Sequence, residues 1–477
     1  MYLFWKFLLF FSEFCMFYTI AVNVFYNGQL LLSVLDIFGY VKKSKSSDYK
    51  RYINSKNMIP ISIVVPAYNE EKTIVDNIKS LLALDYYEYE IIIVNDGSKD
   101  ETLAKIIEEF ELVKVNQPVK RSLETNEIVG VYRNPNYERL IVVDKLNGGK
   151  ADALNAGINV SSYPIFACID ADSIIENEAL IKLTMIFVEH PETVAVGGIV
   201  RLANGSIIQD GKLIEMNIPK SKVASFQIVE YLRAFLTGRT SLSRLNSIII
   251  ISGAFGAFNK QAVIDCGGYK VNTIGEDMDI IVKLHKHMKD KKQKYKIKFL
   301  ADPICWTQAP ESLQDLRVQR RRWQIGLFDS LLTHRKMLLN PKYGTVGMLS
   351  LPTFWLFELF GPIVEFLGYI FIPLAYLFGL LEFNSFLIYF VFAFLLGTTL
   401  SMGSILLEQL SFRKYQSFGD VMRLVLFALL ENLGYRQLTV IFRVEGILRF
   451  RKARHAWGSI QRQQFTETEG AISEGKS

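Results

Sequence analysis

The run "FACIDADSIIENEAL", residues 166–180, ends an apolar stretch on two carboxylates two positions apart, Asp170 and Asp172. Side chains two apart on a strand point the same way, so an extended "IFACI" delivers both carboxylates to one crevice at its carboxyl end. Open α/β sheets bind ligands at that end. Like charges this close repel, and a divalent hard cation held by their oxygens would offset the repulsion and could hold a diphosphate in turn. The competing reading is a helix cap, with Asp172 or Ser173 capping the helix that follows.

Three further runs share this apolar, β-branched character: "ISIVV" at 61–65, "YEIIIVND" at 89–96 and "RLIVVD" at 139–144. Such runs are the signature of strands buried on both faces. Each of the four is followed by a helix-length segment, at 70–83, 99–110, 150–160 and 176–189. The alternation predicts an α/β domain with an open, mostly parallel sheet and crossover helices. Residues 111–138 break the rhythm and read as a surface insertion or a hairpin.

The chain has 477 residues, 50% hydrophobic and 13% aromatic, enough for one large or two ordinary domains. Lys and Arg number 54 against 48 acidic residues, a net charge of +6. The surplus lies beside apolar segments, which points to an anionic membrane surface and away from nucleic acid. In residues 1–40 only Lys6, Glu13 and Asp36 are charged. That length suits a retained transmembrane helix, which needs about 20 apolar residues, better than a cleaved signal peptide. The basic linker 41–58, "VKKSKSSDYKR" within it, is inside-type and predicts a cytoplasmic soluble domain. Residues 345–450 turn apolar again, as transmembrane and interfacial helices. Pro352, Pro362 and Pro373 divide the first part, and 385–407 makes a cleaner span. Over 420–450 Arg423, Glu431, Arg436, Arg443 and Glu445 interrupt the apolar character, leaving a re-entrant or interfacial arrangement and a true span both open. The tail 451–477 is cytoplasmic by its "RFRKAR" flank, and after 461 it is polar and expected to be loose. Cys15, Cys168, Cys266 and Cys305 lack ligand spacing and read as buried thiols.

Other polar strand ends accompany the Asp170–Asp172 pair. "NDGSKD" places Asn95 and Asp96 before a turn, and Asp96 could accept hydrogen bonds from a base or ribose; "VVPAYNEE" sets Tyr68, Asn69 and Glu70 after the first strand. "NGGKADALNAG", 147–157, opens a helix with Gly148, Gly149 and Lys150, a phosphate cradle in kind. It lacks the GxxxxGK[ST] spacing, and no GxGxxG follows the first strand, which argues against a nucleoside triphosphatase or a dinucleotide dehydrogenase. "GEDMDIIVKLHKH" carries Glu276, Asp277 and Asp279 at a helix start, either as ordinary first-turn acids or with a general base among them. His285 and His287 are expected on a solvated helix surface. "SGAFGAF", 252–258, could line a passage or simply pack. In "ESLQDLRVQRRRWQIGLFDSLL", 311–332, Ser312 with Asp315 is a weak capping box, and Gln319, Arg322 and Trp323 share one helical face. That face offers a donor, a cation suited to phosphate and a plate able to stack on a sugar ring. The bland alternative is an amphipathic helix on anionic lipid, anchored by Arg317, Arg320 and Arg321.

Taken in order, "VVPAYNE", "NDGS", "GGKADALNAG", "DAD", "GED" and "QRRRW" resemble the motifs of the processive family 2 glycosyltransferases, membrane synthases of cellulose, hyaluronan, chitin oligosaccharide and poly-N-acetylglucosamine. The resemblance spans about 59–340 and, in layout, the flanking membrane helices. It implies a GT-A type glycosyltransferase domain over 59–310, with interfacial helices carrying QxxRW over 311–344. It implies a uridine contact at Asp96, a lysine near the nucleotide at Lys150, and a DxD pair at Asp170 and Asp172 whose second member contacts Mg2+ or Mn2+. It further implies a catalytic base at Asp277, with Glu276 beside it binding substrate, and Gln319, Arg322 and Trp323 closing over the diphosphate and placing the acceptor. One departure is visible: Gly275 stands where the family usually has Thr.

The expected activity is inverting transfer from a UDP-sugar, with UDP-N-acetylglucosamine preferred, to a growing β-linked polysaccharide passed outward across the membrane. UDP-glucose as donor, or a non-processive transferase acting on a polyprenyl-phosphate lipid, are the alternatives within the class; a membrane scaffold or channel with an inactive nucleotide-binding domain is the alternative outside it. Expected partners are the UDP-sugar, a polysaccharide or glycolipid acceptor, membrane lipids and secretion subunits, and the expected location is the cell membrane, multi-pass, with a cytoplasmic catalytic domain.

Overall fold

The structure, a computed structural model, describes residues 2–46, 58–209 and 212–453. Most of the linker 41–58 and of the tail 451–477 lies outside the described residues.

The four apolar runs read from the sequence form the centre of one ten-stranded sheet. They are β1 (Ile61–Ala67), β2 (Tyr89–Asn95), β5 (Leu140–Lys145) and β6 (Ile165–Ile169), every β2 residue being buried. Their order is β5-β2-β1-β6, all parallel, with crossover helices α2 (Ile74–Leu82), α3 (Thr102–Glu109) and α4 (Lys150–Val160). Full burial of Val and Ile on both faces is what holds this core, each such side chain contributing about 1.5–3 kcal/mol. The segment 111–138 is the hairpin alternative: β3 (Val113–Val115) and β4 (Ile128–Arg133) pair antiparallel and extend the sheet beyond β5.

Beyond β6 the sheet is mixed. β7 (Ile174–Ile175) is followed by α5 (Ala179–Glu189), β8 (Thr193–Leu202) and a small hairpin of β9 (Ile207–Gln209) with β10 (Lys212–Glu215). Then come α6 (Lys222–Tyr231), a π-helical segment Leu232–Arg239, α7 (Thr240–Arg244), β11 (Phe255–Asn259) and α8 (Lys260–Asp265). α9 (Glu276–Asp290), β12 (Lys296–Thr307) and α10 (Leu313–Thr333) complete the domain. β11 runs antiparallel between β6 and β8, while β8 and β12 are parallel.

Among the described residues four helical stretches are long and apolar enough to cross a membrane: Tyr2–Lys43, Val346–Leu377, Phe383–Ser411 and Phe418–Lys452. The first belongs to α1 (Tyr2–Ser46), whose 45 residues, at 1.5 Å each, far exceed a bilayer core of about 30 Å. Its far end docks on the soluble domain, with Ile37 fully buried, the Tyr40 hydroxyl 2.5 Å from Asp302, and Lys43 2.7 Å from Glu189. The second stretch is π-helical at Val346–Ser350 and Phe354–Leu359 before α11 (Gly361–Leu377), so it is divided near Pro352 and Pro362, whereas Pro373 lies inside the continuous α11. α12 (Phe383–Ser411) runs without interruption, the cleaner span read over 385–407. The fourth is broken: α13 (Phe418–Leu430) and α14 (Arg436–Ala453) meet at Leu433 and Gly434, the latter at φ 121°.

Two surface expectations are corrected. His285 is fully buried, its ring nitrogens 2.7 Å from the Tyr295 hydroxyl and 2.6 Å from the Ile248 carbonyl oxygen, and burial lowers its pKa to about 4. It is a neutral core histidine that ties α9 to the segment before β11. Arg317, Arg320 and Arg321 are spent on protein partners: Arg317 and Arg321 on Glu445 of α14, and Arg320, almost wholly buried, on Glu230. The cysteines are free thiols, Cys15, Cys168 and Cys305 buried and Cys266 partly so.

Candidate active site

β6 ends at Ile169, and the next residues turn instead of entering a helix. The Ser173 amide donates to the Asp170 carbonyl at 3.0 Å, and the Asp170 amide to the Ala254 carbonyl at 3.4 Å. The cap alternative for Asp172 falls, because α5 starts at Ala179 with Glu178 at its cap position. Both carboxylates instead face the crevice at the carboxyl ends of the parallel strands. Lys150, first residue of α4, hydrogen-bonds the Asp170 carboxylate and donates to the Gly253 carbonyl at 3.2 Å. It lies 4.0 Å from Glu276.

Gly148 and Gly149, read as a phosphate cradle, serve a carboxylate of this chain. Their amides donate to Asp96 Oδ1 and Oδ2 at 3.0 and 2.7 Å, and Gly149 needs its φ of 84° to do so. The Lys145 ammonium, 1% exposed, is 2.6 Å from Asp96 and 2.5 Å from Asp152. Asp96 is therefore a buried, fixed hydrogen-bond platform at the cavity wall.

Glu276 and Asp277 begin α9, where a helix N-terminus favours negative charge. Asp277 Oδ1 accepts from the Met278 amide at 2.8 Å. α10 is pressed against this turn: a Cβ on Gly275 would lie 2.6 Å from the Gly326 carbonyl oxygen and 2.7 Å from Ser330 Oγ. Ser330 donates to the Gly275 carbonyl at 3.2 Å, Thr273 to Asp329 at 2.8 Å, and His334 Nε2 lies 2.8 Å from Asp279. The glycine that departs from the family pattern thus permits backbone contact between the turn carrying Asp277 and the helix carrying Gln319, Arg322 and Trp323. That helix starts as its sequence suggests, Ser312 accepting from the Asp315 amide at 3.1 Å. Trp323 stays 44% exposed to the cavity, its ring flanked by the Arg320 guanidinium at 4.4 Å and the Tyr231 ring at 6.3 Å.

Asp96, Lys150, Asp170, Asp172, Glu276, Asp277, Gln319, Arg322 and Trp323 all line one cavity of about 1690 Å³. The cavity continues past Trp323 between the membrane-type helices, along Tyr26, Glu358, Glu365, Glu431, Arg436 and Arg443. Charges in such segments are costly unless paired, and these are paired: Arg436 with Glu365 at 2.8 Å, Arg443 with Glu358 at 3.0 Å, and Arg233 with Glu431 at 2.6 Å.

Burial dominates the electrostatics. It raises Asp172 to about 7, with help from the Asp170 charge, and Glu276 to about 7 against the pull of Lys150. Asp277 is raised by burial and held back by Lys150 and Arg239. Burial would lower Lys150, but Asp170 and Glu276 carry it above its usual value. A buried carboxylate crowded by a second one, as Asp172 is by Asp170, is an arrangement a hard divalent cation relieves, and oxygen ligands are the ones Mg2+ and Mn2+ take. Among the described residues no group of three or more His, Cys, Asp or Glu could hold a metal by itself. A cation held by Asp170 and Asp172 would therefore complete its shell from water and substrate, as Mg2+ commonly does.

Lys145, Arg239 and Gly326 belong to this site and were not singled out in the sequence. A lysine closing a strand in "LIVVDK" was the available signal for Lys145. Arg239 and Gly326 carry none, because tertiary packing alone brings them here.

A mixed sheet carrying its acidic residues at the carboxyl ends of a parallel core is the architecture of GT-A glycosyltransferases. The chain belongs to glycosyltransferase family 2: residues 62–267 match the model described as "Glycosyl transferase family 2", and residues 165–402 the one described as "Glycosyl transferase family group 2". Among curated proteins it is 31% identical over 322 residues to a poly-beta-1,6-N-acetyl-D-glucosamine synthase of Staphylococcus epidermidis, covering 67% of this chain and 66% of that protein. The same enzyme of Staphylococcus aureus strain COL is 31% identical over 330 residues, 69% of this chain and 66% of that one. The match thus takes in just under two thirds of these relatives' own length. Among solved structures, a mannosyltransferase from Pyrobaculum calidifontis in complex with GDP-Man and Mn2+ superposes with a TM-score of 0.50 at 16% identity, over 88% of this chain and 99% of that one, a likeness of fold.

Proposed function

We propose that the protein is a membrane-bound, inverting and processive synthase that transfers N-acetylglucosamine from UDP-N-acetylglucosamine to the end of a growing β-linked polysaccharide and passes the polymer outward. The observation that carries this reading is the continuity of one cavity from the strand-end carboxylates, past Trp323, into the membrane-type helices. The N-acetylglucosamine preference is supported by the names of the staphylococcal relatives. The catalytic domain would lie in the cytoplasm, on the side of the basic segments that flank the apolar ones.

Asp277 removes the proton from the acceptor's terminal hydroxyl. That oxygen attacks the anomeric carbon on the face opposite the diphosphate, the bond from that carbon to the UDP oxygen breaks, and the configuration inverts. Lys150 and Arg322 set positive charge where the leaving diphosphate gains negative charge. Asp170 and Asp172 would hold Mg2+ or Mn2+, which when bound neutralises the same leaving group. Asp96 orients the uridine, Gln319 hydrogen-bonds the diphosphate or the sugar, and Trp323 stacks on the acceptor sugar at the entrance to the membrane passage. Glu276 lines the wall between Lys150 and the base.

The test is incubation of the detergent-purified protein with a panel of UDP-sugars and Mg2+ or Mn2+, followed by digestion with linkage-specific hydrolases. A polymer from UDP-N-acetylglucosamine is expected. A glucan from UDP-glucose, or one sugar on a polyprenyl phosphate, would replace this reading, and no turnover of any donor would favour an inactive scaffold.

A further inference from the structure

Arg239 closes the π-helical segment Leu232–Arg239, which packs against α1 and α12 on one side and β8 on the other. The segment is thus the seam between the soluble domain and the membrane-type helices. Near its start Arg233 donates to Ser401 and Glu431 at 2.7 and 2.6 Å, and Thr237 hydrogen-bonds Ser404 at 2.8 Å. At its end the Arg239 guanidinium lies 3.8 Å from the centroid of the Phe235 ring, four residues back, which supports it from one face. Arg239 lines the cavity, and its Nη1 is buried with no hydrogen-bond partner among the described residues. A buried donor of this kind is costly without a partner, and a ligand oxygen within reach would satisfy it.

Asp277 lines the same cavity as Lys150 and Arg239, and the charge of each favours its carboxylate. Lys150 bonds Asp170 and so belongs to the diphosphate side. Arg239 stands on the membrane seam, the side from which a chain held in the passage would present its end.

We propose that Arg239 is the acceptor-binding cation of the site, its Nη1 donating to an oxygen of the terminal acceptor sugar so that the sugar's hydroxyl is held against Asp277. The proposal rests on the glycosyl-transfer reading above. It separates the roles of the cations flanking the base: Lys150 acts on the donor and Arg239 on the acceptor.

The full-length protein is assayed with UDP-N-acetylglucosamine and, as primer, a β-1,6-linked N-acetylglucosamine tetramer. Arg239→Gln should raise the KM for the tetramer by about tenfold or more while leaving the KM for the donor within about twofold, and Arg239→Lys should fall between Gln and wild type. Parallel rises in both KM values, or an unchanged KM for the tetramer, would overturn the proposal. Should Arg239→Gln fail to bind UDP-N-acetylglucosamine, Arg239→Lys decides. A raised KM for the tetramer with an unshifted donor KM supports the proposal, and a wild-type KM for the tetramer refutes it, because an ammonium does not reproduce the guanidinium fork. Absence of product from the wild-type protein would overturn the glycosyl-transfer reading and this inference with it, whereas wild-type turnover with an unaffected Arg239→Gln counts against Arg239 alone.

Discussion

Replacing Gly275 with threonine, the residue the resembled family usually carries, is expected to impair this protein. A Cβ at Gly275 would sit 2.6 Å from the Gly326 carbonyl oxygen and 2.9 Å from its carbon, and both are backbone atoms of α10 that cannot swing aside. The reciprocal Cβ on Gly326 would meet the Gly275 backbone at 3.1 and 3.2 Å, so the contact is close from both sides. Restoring an ordinary separation near 3.4 Å requires the turn and α10 to part by about 0.8 Å, the difference from the 2.6 Å found. Overpacking of this size costs about 1–3 kcal/mol of stability. The larger effect falls on turnover, because the turn carries Asp277 and the helix carries Gln319, Arg322 and Trp323. A displacement approaching 1 Å between reacting groups costs up to about 10²-fold in rate, or about 2.7 kcal/mol of barrier. The assay is kcat/KM for sugar transfer by the purified Gly275→Thr variant alongside its Tm in detergent. Gly275→Ala should show most of the loss, since the Cβ alone makes the clash. Wild-type turnover and Tm in both variants would refute the idea that this glycine sets the distance between the proposed base and the proposed diphosphate clamp.

Asp277→Asn should lower transfer by about 10²–10⁴-fold while UDP binding persists, and undiminished turnover would remove Asp277 from the base role. Because burial raises Asp277, the carboxyl is protonated, and unable to accept a proton, up to a pH above the ordinary aspartate value of about 3.9. The pH profile of kcat/KM should therefore lose activity on the acid side through an ionisation above that value, and a flat profile down to pH 4 would contradict this. Lys145→Met strands the buried carboxylates of Asp96 and Asp152 and should cost about 3–5 kcal/mol in denaturant unfolding; a loss below about 1 kcal/mol would show that this network does not hold the cavity wall at Asp96. Chelation by EDTA should abolish transfer and added Mn2+ or Mg2+ restore it, with Asp172→Ala unrescued at the same concentrations. Full activity in the chelator would argue against a metal at Asp170 and Asp172.

The parallel half of the sheet was legible because strands such as "YEIIIVN" are apolar without interruption and end on polar residues, and the position of Asp170 and Asp172 follows from that register. The antiparallel half was not. β11, "FGAFN", lies in a glycine-containing stretch that also reads as a passage lining, and glycine weakens a strand signal while Gly256 permits the close contact with Ile251 and Phe258 found here. His285 misled because "LHKHMKD" has the alternation of a solvated helix end, and only the packing of Tyr295 and Ile248 buries it. The same holds for Arg320, one of three consecutive arginines, whose partner Glu230 is 90 residues away in sequence. Arg239 escaped notice because a π-helical turn rotates side chains off the 3.6-residue pattern by which faces are read from sequence.

The most direct test of the central claim, that sugar transfer and passage across the membrane share one cavity, is made in sealed vesicles containing the protein with its soluble domain facing outward. Labelled UDP-N-acetylglucosamine is added outside, and the label is then sized and challenged with an external hydrolase. The account predicts long N-acetylglucosamine polymer in the lumen, protected from the enzyme until detergent is added. Label confined to the outer solution, or carried as a single sugar on lipid, would contradict it.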